Sequence, residues 1–267
     1  MNTCILTLPD YASKESRGKP LKKVGINNFM LFRNDFNDQR ILTNQSAYVS
    51  LRNQNGIHMS RVVAALMEYE DQAIDMDDEL LEALSESHEG ANAYWECKWP
   101  CEHHLENEQP LIVQCGLEGR LVHTINSNYI IEWYLTTKVP YTSVCPCSHQ
   151  MVKDAEYGIP HMQRATATIT GMIPTDTSDL AEFLSGVIAT TIEAVGLVPQ
   201  PFMKRTHELE GCQRAADTNL FVEDAARVVA DALEKWYDDI VVVCEHEESI
   251  HQHNVVGVYA PEGSKLT

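Results

Sequence analysis

The chain has 267 residues, 44% hydrophobic and 22% charged, and a formal net charge of −19 from 39 acidic and 20 basic side chains. That length suffices for one large domain or two modest ones with a sizeable core, and the acidity argues against a general nucleic-acid binder, which needs a basic face to displace counterions. A small anionic substrate stays compatible, because a local cluster of Arg, His and helix N-termini can hold phosphate on an acidic protein.

The acid excess is concentrated in residues 68–89, which reads as a solvated helical face. The first residues, Met1-Asn2-Thr3-Cys4-Ile5-Leu6, lack the basic start and long apolar run of a signal peptide. No stretch of about 18 apolar residues occurs, so no membrane span is expected. Eight cysteines in such a chain read first as reduced thiols, and a cytoplasmic location is expected.

In chain order, residues 1–22 are polar, rich in Lys and Ser, and read as a loose arm. Residues 47–51 alternate as a strand does. Ser60 is expected to cap a helix over residues 62–67, and a second helix follows at about 77–87 with Leu80, Leu81 and Leu84 on one face. Strands are predicted at 111–117, 120–125 and 128–137. Residues 164–170 alternate small and β-branched side chains, another strand. Residues 179–195 form a strong helix with Gly196 as its stop. A further helix covers 222–237, with Val228, Val229, Ala232 and Leu233 inward, and strands at 240–244 and 254–259 close the chain. Each half therefore reads strand, strand, helix, helix, strand, strand. Antiparallel sheets with paired helices on one face suit that α+β order. The expected organisation is an arm (1–22), a first module (23–125) and a second module (126–267) forming one continuous unit.

Four stretches carry concentrated chemistry. In Cys145-Pro146-Cys147 the thiols are too close for an easy disulfide and Pro stiffens the link, so one can serve as a metal thiolate beside the other, or both can be small residues at a strand end. His149 and His161 are nearby candidates to complete a site, although a lone loop histidine also reads as a bystander. Glu208 sits in a loop that turns from basic to acidic, after Lys204 and Arg205. Glu223 opens a helix, where the macrodipole favours any carboxylate. His251 and His253, two apart, are expected on one face of an extended strand, suited to metal, phosphate or proton transfer. His246 reads as a surface residue. His58, just ahead of a helix, can bind, shuttle protons or satisfy a backbone group. Cys97, Cys101, His103 and His104 approximate a zinc-ligand spacing, but strand or loop positions that never converge explain them as well.

Taken together, these stretches resemble the GTP cyclohydrolase type IB family over roughly residues 23–260. Gly56-Ile57-His58-Met59-Ser60-Arg61 matches a family signature outright. Thr142-Ser143-Val144-Cys145-Pro146-Cys147-Ser148 differs from Thr-Ser-Leu-Cys-Pro-Cys-Ser by one conservative change. Tyr157-Gly158-Ile159-Pro160-His161-Met162-Gln163-Arg164 resembles Tyr-Gly-Ala-His-Asn-Gln-Arg with one residue inserted. Lys204-Arg205-Thr206-His207-Glu208, Phe221-Val222-Glu223-Asp224 and Glu248-Ser249-Ile250-His251-Gln252-His253 follow in order. The loop between Cys147 and His161 is longer than the family's, and Thr206-His207 replaces the usual residues before Glu208.

The resemblance implies tandem tunnelling-fold modules, several chains closing a barrel as a homotetramer, and active sites between subunits. It implies hydrolysis of GTP to 7,8-dihydroneopterin triphosphate and formate, with a divalent metal (manganese, iron or zinc) held by Cys145, His161 and Glu208. Glu223 would anchor guanine through a bidentate pair. His251 and His253 would bind phosphate or transfer protons, and Cys147 would line the site. His58, Arg61, Lys204 and Arg205, with Arg164, are the groups expected to meet the triphosphate. The same motifs leave three other readings: an archaeal-type cyclohydrolase releasing a cyclic phosphate, an NADPH-dependent deazaguanine nitrile reductase of the same fold, and a non-catalytic metal-binding relative.

Overall fold

The computed structural model describes residue 12 and residues 18–52, 54–104, 110–126, 128–200 and 202–266. Most of the expected arm lies outside the described residues, and its last two positions, Leu21 and Lys22, already belong to the first strand. The elements run β1 (Leu21–Asn34), β2 (Arg40–Leu51), α1 (Met59–Met67), α2 (Asp78–Glu86), β3 (Ala93–His103), β4 (Leu111–His123), β5 (Tyr129–Val144), α3 (Pro146–Ala155), β6 (Met162–Met172), α4 (Leu180–Val195), α5 (Arg205–Thr218), α6 (Val222–Leu233), β7 (Asp239–Glu247) and β8 (Val255–Tyr259). The strands take chain order in an eight-stranded sheet, and the pairings β1–β2, β5–β6, β6–β7 and β7–β8 are antiparallel. The α+β class follows from that order. No described helix is long and apolar enough to cross a membrane.

The chain divides into two compact units. Unit 1 holds the described part of Met1–Cys97 together with Glu118–Glu132. Its core is Leu31, Val49, Val62, Leu66, Leu80, Leu81, Leu84 and Trp95. The three leucines of α2 are all buried, as their spacing predicts. Asn28, at φ 52°, marks an irregularity between Ile26 and Phe29 in β1, a left-handed position that Asn tolerates. The cap of α1 is His58, not Ser60, and no side chain caps it by hydrogen bonding; Ser60 already lies inside the helix.

Unit 2 comprises Lys98–Leu117 and Trp133–Thr267. Its helix α4 starts where Asp179 accepts a bond from the Glu182 amide at 2.9 Å, and stops at Gly196 with φ 84°, as expected from sequence. Helix α6 lays Val222, Ala225, Ala226, Val229 and Leu233 inward. Ala232 is exposed, contrary to expectation, because it falls at the edge of that stripe next to the end of the helix. Gly257 in β8 allows α6 to seat on the sheet: a Cβ there would stand 2.8 Å from the Val222 carbonyl oxygen.

Several elements depart from the sequence reading. The segment 111–117 and residues 120–123 of the next belong to the single strand β4, and 124–125 lie beyond its end. Residues 205–218, read partly as a loop, are helix α5. The stretch 146–155 is helix α3, begun by Pro146 in its first turn, where the missing N–H is not needed.

Candidate active site

Strand register builds the site within unit 2. Tyr141 of β5 pairs with Ala165 of β6, which pairs with His246 of β7. Two residues along, Ser143 pairs with Gln163. Val144 and Met162 form the last pair, so Cys145 and His161 are the residues that leave the ladder together. The Cys145 amide donates to the His161 carbonyl at 3.3 Å. Ser148 ties the same corner, its hydroxyl donating to the Cys145 carbonyl at 3.1 Å while the His161 amide donates to that hydroxyl at 3.2 Å. The extra length between Cys147 and His161 is accommodated in an excursion whose two ends are fixed by the ladder. Side chains alternate along a strand, so Tyr141, Ser143 and Cys145 share one face with Ala165, Gln163 and His161.

That face opens into a cavity of about 270 Å³, lined by Cys145, His161, Glu223, His251 and His253 from the sequence-selected residues, and by Gln163, Phe221, His246, Glu248 and Val255 among others. Glu223 stands in the first turn of α6. His251 and His253 lie in the β7–β8 connection rather than on a strand, yet their rings stack at 5.3 Å and 15°. His251 meets the His161 ring edge-on at 6.4 Å.

A polar chain fixes His161. Gln163 Nε2 donates to Glu248 Oε1 at 3.3 Å, and Gln163 Oε1 lies 2.9 Å from His161 Nδ1. An ionised carboxylate only accepts, so it orients the amide, and the amide oxygen then requires a proton on Nδ1. His161 Nε2 is left with its lone pair. Glu248 Oε2 stands 3.9 Å from the same Nδ1.

His246 corrects the sequence reading: it is 2% exposed, not a surface residue. It shares the inward phase of Ile240, Val242 and Cys244. Its Nε2 lies 2.7 Å from the Tyr141 hydroxyl, which reaches it across the small Ala165. Burial holds the His246 imidazole below its ordinary value, opposed by Glu248 and Glu223. Burial holds the Tyr141 phenol well above its own, with Cys244 beside it, and pushes the Cys244 thiol up to about 11.

The remaining selected residues sit elsewhere. Cys147 is exposed on α3 and does not line the cavity. Lys204 caps α5, and Arg205 and Glu208 occupy its exposed first turn, outside the lining. This helix packs through Ala215 on Val144 and Leu197, and its cap residue Asn219 bonds His149 Nδ1 at 2.9 Å. Arg164 is exposed on β6 and pairs with Glu247. His58 and Arg61 belong to unit 1, where the His58 ring lies 6.5 Å from that of His88 and Arg61 Nη1 donates to the Ser87 carbonyl at 3.0 Å. Among the described residues, no three His, Cys, Asp or Glu side chains stand in a metal-holding arrangement. Cys97, buried in unit 1, has its thiol pushed up to about 12 by burial. Cys101 lies in unit 2 beside Cys115.

Sequence reasoning missed Tyr141, Gln163, His246 and Glu248. Gln163 and Glu248 stand inside quoted motifs, and strand phase could have placed His246. Chemically, the cavity offers a thiol, an imidazole with a free lone pair, a helix-start carboxylate and stacked imidazoles, a set suited to binding a base and moving protons.

Residues 8–257 match the family described as type I GTP cyclohydrolase folE2. The protein named GTP cyclohydrolase FolE2 from Thermotoga petrophila is 31% identical over 261 residues, spanning 90% of this chain and 92% of its own. Those of Hahella chejuensis (30% over 253 residues, 82% of each chain) and Geobacter sulfurreducens (27% over 270 residues, 92% of this chain and 95% of its own) are similar throughout.

Proposed function

The chain belongs to the type I GTP cyclohydrolase FolE2 family, and on that premise we propose that it hydrolyses GTP to 7,8-dihydroneopterin triphosphate and formate in folate and pterin synthesis. One observation carries the reading: residues from four separated motifs, Cys145, His161, Glu223 and the pair His251/His253, line a single cavity. A carboxylate at Glu223 matches two adjacent donors on guanine, the ring N1–H and the exocyclic amine. The stacked His251 and His253 can deliver the proton that the imidazole nitrogen needs as the C8 bond opens, and can serve the later ribose rearrangement. Lys204, Arg205, His58 and Arg61 are proposed for the triphosphate, and Cys147 for the rim.

Two donors at the cavity suit a divalent cation, Cys145 with a thiol and His161 with Nε2, whose lone pair the Gln163 bond leaves free, while Glu208 stands on α5 outside the lining. Glu208 is the proposed third ligand. Manganese, iron and zinc all accept such a set. A cation held there would supply Lewis acidity for hydrolytic attack at C8. The residues around it do the rest: Glu223 orients the base, Gln163 sets the His161 tautomer, and Phe221 and Val255 narrow the space left for water.

We further propose a homotetramer of tandem tunnelling-fold modules with active sites between subunits, acting in the cytoplasm. Supporting the association, the two end strands of the order carry exposed apolar residues, Leu21 and Met30 on β1 and Val256 and Val258 on β8, which another chain would cover.

The test is protein stripped and reloaded with manganese, iron or zinc, incubated with GTP, and assayed for formate and pterin. Formate plus a triphosphate product, reduced about 10³-fold or more in Glu223→Ala and Cys145→Ala, is expected. A cyclic phosphate product would favour the archaeal-type reaction. No formate with any of the three metals, from folded and loaded protein, would overturn the reading.

A further inference from the structure

Four side chains from β6, β7 and the residues at their ends line the cavity: His161 just before β6, Gln163 on β6, His246 on β7 and Glu248 just after β7. Three are committed. His161 Nδ1–H faces Gln163 Oε1, Gln163 Nε2 donates to Glu248, and a carboxylate has nothing to donate. His246 is different. The Tyr141 hydroxyl has one proton to place, and its neighbours are His246 Nε2 at 2.7 Å and the Cys244 thiol. An imidazole nitrogen is a far better acceptor than sulfur. Tyr141 therefore donates to Nε2, and the ring proton of the neutral imidazole sits on Nδ1. Burial, which disfavours the imidazolium, keeps the ring in that single-proton form.

Resting on the reading of this cavity as the guanine site, we propose that His246 is a specificity-determining residue whose Nδ1–H hydrogen-bonds the 6-oxo group of the base held by Glu223. Glu223 satisfies the two donors of the guanine edge, N1–H and the 2-amino group. The third group on that edge is the O6 acceptor, which needs a donor in a desolvated pocket. Both residues line the same cavity, and the Glu223 carboxylate is close enough to act electrostatically on His246. A 6-amino purine would present a donor to a donor at this point, and its N1 would present a lone pair to the carboxylate. Tyr141 is the positioning residue that selects the tautomer.

The test compares GTP with 6-thioguanosine triphosphate, which keeps N1–H and the 2-amino group and chiefly weakens the acceptor at position 6. Metal-loaded wild-type protein is expected to favour GTP by about tenfold in kcat/KM. His246→Leu should bring that ratio close to one. His246→Asn, whose amide nitrogen stands near the Nδ1 position, should restore most of it. A purely structural role would lower both substrates together and leave the ratio unchanged, which would overturn the assignment while GTP turnover by the wild type upholds the cyclohydrolase reading. Wild-type protein that releases no formate from GTP removes both. Independently of any variant, nitrogen-15 NMR of the labelled wild-type protein should show His246 protonated at Nδ1, and a proton on Nε2 instead would refute the proposal.

Discussion

Each unit buries a group that can carry charge, and the two are treated in opposite ways. In unit 1, Arg33 is wholly buried. Its Nη2 donates to Asp77 Oδ2 at 2.8 Å and to the Ala73 carbonyl, and its Nε donates to the Gln72 carbonyl at 3.1 Å. The guanidinium also lies over the rings of Tyr69 and Trp95, at 5.6 and 5.7 Å. Burial pushes the Asp77 carboxyl up and Arg33 pulls it back down. In unit 2, His246 is nearly as buried, but among the described residues only its Nε2 is bonded and the ring borders a cavity. A buried polar group bonded by its own unit through two of its nitrogens, with two aromatic rings beside it, acts as scaffold. One that keeps a ring atom for the cavity is available for a ligand.

The largest expected effect breaks the scaffold side of that contrast. Arg33→Leu leaves Asp77 without its cation in a mostly buried place and is expected to cost about 3–5 kcal/mol. Thermal or urea unfolding measures it. Adding Asp77→Leu should recover part of the loss, because the unpaired charge, more than the missing pair, is what destabilises. A single variant with unchanged stability would show that the Arg33 cluster is not a scaffold.

On the site side, Gln163→Leu cuts the tie between Glu248 and His161. Outer partners of ligating histidines are typically worth about 10–100-fold in metal affinity or activity. Titration with manganese or zinc against a chelator should show a loss of that size, with little change in melting temperature. Equal affinity for wild type and variant would mean that the strand register alone orients His161.

A smaller effect follows from pH. Burial lowers His246 and His103 in unit 2 and His88 in unit 1 from 6.5. Each is a depressed base, so below 6.5 the unfolded chain binds protons that the folded chain refuses. Stability is full above the unfolded value and declines as pH falls through the folded ones. Melting between about pH 7.5 and 5.5, above the main carboxylate range, should show the decline. His246→Asn should flatten the slope more than an exposed-histidine variant such as His104→Asn.

How much of this was legible in the sequence depends on range. Period and caps gave α2, α4 and most of β6 directly, since Leu80, Leu81 and Leu84, or Asp179 and Gly196, report local backbone geometry. The ordered motifs named four of the segments that meet in the cavity. What failed was phase and register. His246 reads as a surface residue when taken alone, although Ile240, Val242 and Cys244 already set the inward parity. The Gln163–Glu248 contact crosses two strands 85 residues apart, and no local pattern encodes which residue faces which. Helix α5 escaped because Lys204 to Glu210 is polar apart from the exposed Leu209, and only Gly211 and Ala215 of the helix are buried. The same partial view made His251 and His253 look like a strand pair. Spacing of two is shared by a strand face and by the bend that stacks them.

The smallest effect tests whether scaffold and site separate within unit 2 itself. Asp179 caps α4 by accepting the Glu182 amide, and neither residue lines the cavity. Asp179→Ala should cost about 1 kcal/mol, a fall in melting temperature of about 2–4 °C for a chain of this size, and Asp179→Asn should retain most of the cap. Formate release per folded molecule should not move. The reason is mechanical: α4 is held by Phe183, Leu184, Val187 and Ile188 in the core, so fraying its first turn leaves those contacts, and the β5–β6–β7 register that aligns Cys145, His161 and His246, in place. A drop in turnover at constant folded fraction would mean that the α4 start communicates with the cavity, and that unit 2 does not divide into scaffold and site as unit 1 and unit 2 differ from each other.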